Sequence, residues 1–261
     1  MKWIRWTFRV FTSLSLAGVY AVLSCSIWVL FRNPLSRLNW YSRNANYLTP
    51  LMLKLMGVNV HLRDHTKGQG ITPGTLVVAN HLSYKDIFIL SSLRPMLFIS
   101  SVELSRTFFL GRMARFGGTV FVERRSPAQL HREIKSISDL LKQDFVVTLF
   151  PEAGTSDGEG LLPFKSALFQ AAIEAGTRVQ PVCIRYTQLD GRPVTQKQRR
   201  RVVWHRTLFI MHILKLFFHC RIQAEVDIFS PLPAKPNSRK ELVRHSFELI
   251  RDCYRQALQK D

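Results

Sequence analysis

Val77-Val78-Ala79-Asn80-His81-Leu82-Ser83-Tyr84-Lys85-Asp86 reads as the end of one element and the start of another. An apolar run of β character, 75–79, closes just before Asn80, and an apolar segment of helical length opens at Asp86 with Ile87, Phe88 and Leu90. A strand that turns directly into a helix is the building unit of an α/β fold. The turn carries a histidine and, five residues on, a carboxylate. A carboxylate beside an imidazole holds one ring nitrogen as N–H, which fixes the tautomer. The other nitrogen is then free to take a proton from a hydroxyl. The same residues also suit a helix capped by Asp86, with His81 on a loop surface.

Outward from this stretch, short β-type runs alternate with helical segments. Strands are predicted at 58–62, 75–79, 97–100, 119–122, 145–150, 179–186 and 222–229, and helices near 86–93, 104–115, 127–143 and 164–175. The helix at 127–143 is the best marked: Ser126 caps it, Pro127 suits its first turn, and Leu130, Ile134, Ile137 and Leu141 follow at helical spacing. A last helix opens with Ser238-x-x-Glu241, a capping-box pattern. The expected fold is α/β, with a largely parallel mixed sheet flanked by helices and an N-terminal membrane helix.

That N-terminal helix is read from positions 10–31, which carry no charge and are bounded by Arg9 and Arg32. A helix of this length is roughly 33 Å long, enough to cross a bilayer core. Hydroxyls at Thr12, Ser13, Ser15, Ser24 and Ser26 weaken a span, so a helix lying in one leaflet stays open beside a spanning one. Residues 36–56 mix Leu38, Trp40, Tyr41, Tyr47 and Leu51 with Arg37, Arg43 and Lys54, as an interfacial helix or a core-packing one would. The expected organisation is an anchor at 1–35, an amphipathic interfacial linker at 36–56 and an α/β domain at 57–261.

Lys and Arg outnumber Asp and Glu by 37 to 18, a net charge of +19. So basic a chain expects polyanionic surroundings. The excess peaks between 191 and 224, where no acid occurs and Gln196-Lys197-Gln198-Arg199-Arg200-Arg201 leads into an apolar stretch at 208–218. That stretch is too short to span, but a basic cluster feeding an apolar helix suits an anionic membrane surface. Nucleic acid is not expected, because the arginines lack interleaved stacking aromatics. Four scattered cysteines make neither a disulfide framework nor a zinc site, and no metal or other cofactor is expected. No G-x-S-x-G elbow and no phosphate-binding P-loop is present.

Two further stretches place chemistry after strands. Gly118-Thr119-Val120-Phe121-Val122-Glu123-Arg124-Arg125 sets guanidinium groups where they suit a phosphate or a structural salt bridge. Phe150-Pro151-Glu152-Ala153-Gly154-Thr155-Ser156-Asp157-Gly158 sets an acid and a small-residue turn, and Lys165 follows near a helix start.

Taken in order, these blocks resemble the glycerolipid acyltransferase family that includes the 1-acylglycerol-3-phosphate acyltransferases. The resemblance rests on Asn80, His81, Ser83 and Asp86; on Gly118, Phe121, Val122, Glu123 and Arg124; on Phe150 to Thr155; and on Val179-Gln180-Pro181-Val182. It implies that His81 is the general base and Asp86 its orienting partner. Asn80, Ser83, Arg124, Glu152, Gly154, Thr155 and Lys165 then belong to substrate binding, with Arg124 and Lys165 on the acceptor's phosphate. The implied donor is acyl-CoA or acyl-carrier protein and the implied acceptor a lysolipid, first of all 1-acylglycerol 3-phosphate. Residues 57–261 become the acyltransferase domain, on the cytosolic face of a membrane, which is the inner membrane in a bacterium. One departure bears on the acceptor. Ser156 and Asp157 stand where many members carry a phosphate-binding arginine, and an Asp157 facing the headgroup would favour a lyso-ornithine lipid or another lysophospholipid. The rival of another class, a non-catalytic basic membrane- or nucleic-acid-binding protein, leaves the ordered His–Asp, Arg and Glu blocks without a purpose.

Overall fold

The computed structural model describes residues 2–123, 126–205, 208–218 and 221–258. The chain begins with two helices, α1 (Lys2–Leu30) and α2 (Pro34–Met56). Asn33 starts α2 by accepting from the amides of Leu35 and Ser36, Pro34 fills the first turn, and Gly57 ends it at φ 73°. Pro50 sits inside α2 and cannot donate to the Asn46 carbonyl; the Thr49 hydroxyl takes that carbonyl at 3.4 Å.

Strands β1 (Val58–Asp64), β2 (Thr75–Ala79), β3 (Leu97–Ser101), β4 (Val120–Val122), β5 (Val147–Leu149), β6 (Arg178–Leu189) and β8 (Ile222–Ile228) form one sheet in the order β1-β8-β6-β2-β5-β3-β4. Two short strands, β7 (Arg192–Pro193) and β9 (Leu232–Pro233), pair antiparallel with β6. Along the main path only the β6–β8 pairing is antiparallel, so the sheet is mixed and mostly parallel, as expected. Parallel strands need crossovers, and these are supplied by α3 (Lys85–Leu93), α4 (Val102–Ser105), α5 (Leu110–Phe116), α6 (Pro127–Lys142) and α7 (Gln170–Ala175). Helices α8 (Gln196–Val202) and α9 (Phe209–Leu216) follow β7, and α10 (Arg239–Leu258) ends the described chain. β2 lies at the centre between β6 and β5, and all five of its residues are buried.

Two predicted helices differ from what forms. The segment 104–115 is broken into α4 and α5, because Ser105 and Thr107 hydroxyls bond back to the Val102 and Leu104 carbonyls. A Cβ on Gly111 would lie 2.6 Å from the Ser105 carbonyl oxygen, so glycine lets the second helix fold close against the first. The segment 164–175 is helical only from a 3₁₀ turn at Ala167–Phe169 onward, since the Leu162 and Lys165 amides are held by Glu152 and by the Pro151 carbonyl. The basic cluster at 196–201, in turn, lies in helix α8.

The first helix runs against the domain. Trp6 Nε1 donates to the Leu214 carbonyl at 3.0 Å, Tyr20 hydroxyl to the Met113 carbonyl at 3.4 Å, and Asn44 Nδ2 to Ser24 Oγ at 3.0 Å. Trp3, Trp6 and Phe218 pack ring on ring. The other face of α1 is bare: Ile4, Phe8, Phe11, Leu14, Val22 and Trp28 are exposed. This helix is long and apolar enough to cross a membrane.

Gly118 positions the strand that carries the arginine block. Its φ is +74°, and a Cβ there would come within 2.7 Å of Leu97 Cδ2, a buried side chain. Gly118→Ala should therefore cost about 2–4 kcal/mol, from left-handed strain plus overpacking. Urea unfolding of the detergent-solubilised chain reads this directly, and an unchanged midpoint would refute the close approach.

Candidate active site

Ligands of open α/β sheets bind outside the carboxyl ends of the strands. The loops leaving β2 and β5, which pair in parallel, meet there. Asn80 ends β2 by pairing with Ile184 of β6 through its side chain: Nδ2 donates to the Ile184 carbonyl at 2.9 Å, and the Ile184 amide donates to Oδ1 at 2.8 Å. The next residue, His81, is thereby held at the carboxyl end of the central strand. Its amide donates to Glu152 Oε1 at 2.8 Å, and its carbonyl accepts from the Ser156 amide at 3.0 Å.

The ring of His81 lies on Phe150, with centroids 4.1 Å apart and planes inclined by 19°. His81 Nδ1 is 2.9 Å from Asp86 Oδ2. That oxygen also accepts from the Leu82 and Ser83 amides at 2.6 and 2.7 Å, while Asp86 Oδ1 accepts from the Tyr186 hydroxyl at 2.6 Å. Asp86 is fully buried. An acceptor-only carboxylate in this place requires Nδ1 to carry the proton. Nε2 is then the basic nitrogen, and it has no protein partner among the described residues.

Glu152 is also buried, and both its oxygens are in use: Oε1 on the His81 amide and Oε2 on the Leu162 amide at 2.7 Å. Burial pushes its carboxyl up from 4.5 to about 7, against the pull of those two amides and of His81. Lys85 has no exposed surface. Burial pushes its ammonium down to about 7, and Asp86 opposes that. Its Nζ donates to Ser83 Oγ at 3.0 Å and to the Val202 carbonyl at 2.6 Å.

Of the residues singled out in the sequence, the structure brings His81, Asp86 and Glu152 together. Asn80 and Ser83 are at the same turn, but their side chains are buried and spent on Ile184 and Lys85. Gly154 and Lys165 are exposed, and Thr155 is half-buried, with its carbonyl 2.9 Å from His205 Nδ1. Arg124 lies outside the described residues. The sequence assigns no role to Tyr186 or Lys85, and it shows Phe150 only as part of the block that carries Glu152, not as the ring under His81. Tyr186 stands 100 positions from the carboxylate that it touches, and no local pattern announces it.

A family model described as Acyltransferase matches residues 57–185. The 1-acyl-sn-glycerol-3-phosphate acyltransferase of Neisseria gonorrhoeae is 44% identical over 119 residues, which are 46% of this chain and 47% of that relative. The chain thus spans about half the length of that relative. The lyso-ornithine lipid O-acyltransferase of Brucella abortus is 32% identical over 230 residues, 84% of either chain. This chain belongs to the acyltransferase family. A crystal structure of the 1-acyl-sn-glycerophosphate acyltransferase from Thermotoga maritima shares the fold, with a TM-score of 0.68 over 98% of this chain and 97% of that one, at 19% identity. The matched region of this acyltransferase starts at Gly57, just before β1, and ends at Arg185, beside the tyrosine that holds Asp86.

The raised Glu152 value has a sign that can be measured. The folded chain holds this proton more tightly than the unfolded one. The contribution of Glu152 to stability is therefore full below about pH 4.5 and lost as pH rises through about 7. Across that window the melting temperature of the wild type should fall relative to that of Glu152→Gln, which cannot titrate. Parallel curves would show that the carboxyl is not held up.

Proposed function

We propose that this chain is a membrane-bound O-acyltransferase that moves a fatty acyl group from acyl-CoA or acyl-carrier protein to the sn-2 hydroxyl of 1-acylglycerol 3-phosphate, giving phosphatidic acid. The observation that carries this reading is the His81–Asp86 contact at the end of β2, with Nε2 unpartnered among the described residues. In the proposed step the acceptor hydroxyl oxygen attacks the thioester carbonyl carbon as His81 Nε2 takes its proton. The C–S bond then breaks, Nε2 passes that proton to the leaving thiolate, and an ester and a free thiol leave. Asp86 holds the imidazole in the Nδ1–H tautomer and offsets its positive charge while the proton is on it. Glu152 acts through the His81 amide, and Lys165 and Arg124 are assigned to the acceptor's anionic headgroup.

Residues 1–35 form the membrane anchor, 36–56 an interfacial element and 57–261 the acyltransferase domain, on the cytosolic face where the thioester donor is found. The bare apolar face of α1 supports this, as do Leu208, Ile210 and Met211, exposed on and beside α9 next to a basic helix.

A second acceptor has its own support. Relatives named lyso-ornithine lipid O-acyltransferase align with 70–92% of this chain, beyond the 46% matched by the Neisseria relative. A panel of lysolipids with one labelled acyl-CoA decides between them. Acylation of lysophosphatidate at the highest kcat/KM is expected, and a lyso-ornithine lipid used about tenfold faster would replace it.

His81→Ala should lower turnover by about 10²–10⁴-fold while the chain stays folded and membrane-bound. Near-normal turnover by that variant would end the general-base assignment.

A further inference from the structure

A lysine with no exposed surface is placed directly before the carboxylate that holds His81. An ammonium taken out of water is costly, and an apolar side chain of equal length would fill the same space without that cost. What Lys85 touches gives it a use. Its Nζ donates to Ser83 Oγ, and the Ser83 amide is one of the donors on Asp86 Oδ2. The same Nζ lies 4.9 Å from the ring centroid of Tyr186, whose hydroxyl is the donor on Asp86 Oδ1. Tyr84 presents its ring at 5.3 Å, which adds a second aromatic face to the charge. One cation therefore touches residues that supply donors to both oxygens of the carboxylate.

The fourth contact leaves the turn. Nζ donates to the carbonyl of Val202, the last residue of α8. Two residues later the Trp204 amide donates to the Leu82 carbonyl at 2.9 Å, and His205 Nδ1 lies 2.9 Å from the Thr155 carbonyl. Lys85 thus joins the His81–Asp86 turn to the segment that packs over it.

We propose that Lys85 is a positioning residue for His81: by holding Ser83, Tyr186 and Val202 at once it fixes the plane of the Asp86 carboxylate, and through it the tautomer and orientation of the imidazole. This rests on the reading of His81 as the base. Lys85 touches no reacting atom; it acts on His81 only through Asp86, by way of Ser83 and Tyr186. A filler role would ask only for volume, whereas this role asks for the donors and the charge.

The test compares the full-length wild type with Lys85→Met, which keeps the length and removes donors and charge. Three quantities are read: melting temperature, the kinetic constants for the lysolipid acceptor, and the ¹⁵N signals of His81 in selectively labelled protein, assigned by difference against His81→Ala. Expected are an unchanged or higher melting temperature, since a buried charge is gone, and a kcat lower by about 10- to 100-fold with the acceptor KM nearly unchanged. The His81 signals should show the Nδ1–H form mixed with the other tautomer. Lys85→Gln, which keeps a donor for the Val202 carbonyl, should recover part of both. An unmoved His81 signal with kcat within twofold would overturn the proposal. So would a loss of stability with the His81 signal unmoved, or failure of both variants to fold, each of which makes Lys85 structural only. The ¹⁵N readout needs no substrate. Absence of acyl transfer by the wild type to any lysolipid would sink the functional reading and leave this test standing.

Discussion

The site depends on one buried carboxylate. Asp86 has no exposed surface, and a lone charged group so placed would be unstable. It is tolerated because the His81 ring, two backbone amides of its own turn and the Tyr186 hydroxyl all point at it. It also stands in the first turn of α3, where the helix dipole favours negative charge. These donors come from different levels of structure. The amides need the chain to turn tightly between β2 and α3. The hydroxyl needs β6 beside β2, a pairing that runs from Thr75 with Arg178 to Ala79 with Val182. A change that loosens that register removes a donor from a group that cannot find water in exchange.

This explains which parts of the molecule were legible beforehand. β2 is legible to the residue because four apolar positions follow Thr75 and end abruptly at Asn80. Helix α6 was read nearly so, since Ser126, Pro127 and the 134/137/141 spacing are local signals. The His81–Asp86 contact was legible because both residues belong to one turn. The break at 106–109 was not, because it arises from hydroxyls returning to carbonyls and from the close approach at Gly111. Nor was the inward turn of Asn80 and Ser83. Sequence shows that such residues accompany His81, but not whether their polar atoms face a ligand or the protein. Tyr186 was hidden for a simpler reason: its role is created by strand pairing.

The N-terminal helix shows the same limit from the other side. Its hydroxyls look like weaknesses in an apolar run. Most are satisfied inside the helix: Thr12 bonds the Phe8 carbonyl at 2.7 Å, Ser15 that of Phe11 at 3.0 Å, and Ser26 that of Val22 at 3.1 Å. Ser24 is buried against Asn44 of α2. The three hydroxyls bonded inside the helix therefore cost the bare face little, Ser13 Oγ is buried without a partner among the described residues, and the fixed points at Trp6, Tyr20 and Ser24 hold α1 along the domain. Hydropathy alone reports that such a helix is apolar, not which side of it is already taken.

The turn after β5 shows how a departure from a family pattern can be structural. Ser156 stands near the place of an expected cation, yet its amide holds the His81 carbonyl and its hydroxyl accepts from the Gly158 amide at 3.3 Å. Asp157 accepts from the Glu159 amide at 3.0 Å, so part of its charge is spent inside its own turn. Ala153 takes φ 59° in the same turn, a conformation that an L residue adopts only when its surroundings demand it. These residues shape the loop that carries Glu152 and grips His81. Discrimination between a phosphate and a zwitterionic headgroup, on the proposed reading, then falls to cations held elsewhere, of which exposed Lys165 is nearest in sequence to this loop. A free surface cation attracts either headgroup through its phosphate or carboxylate, and favours the doubly charged one. That is the physical ground for placing 1-acylglycerol 3-phosphate first in a chain of net charge +19.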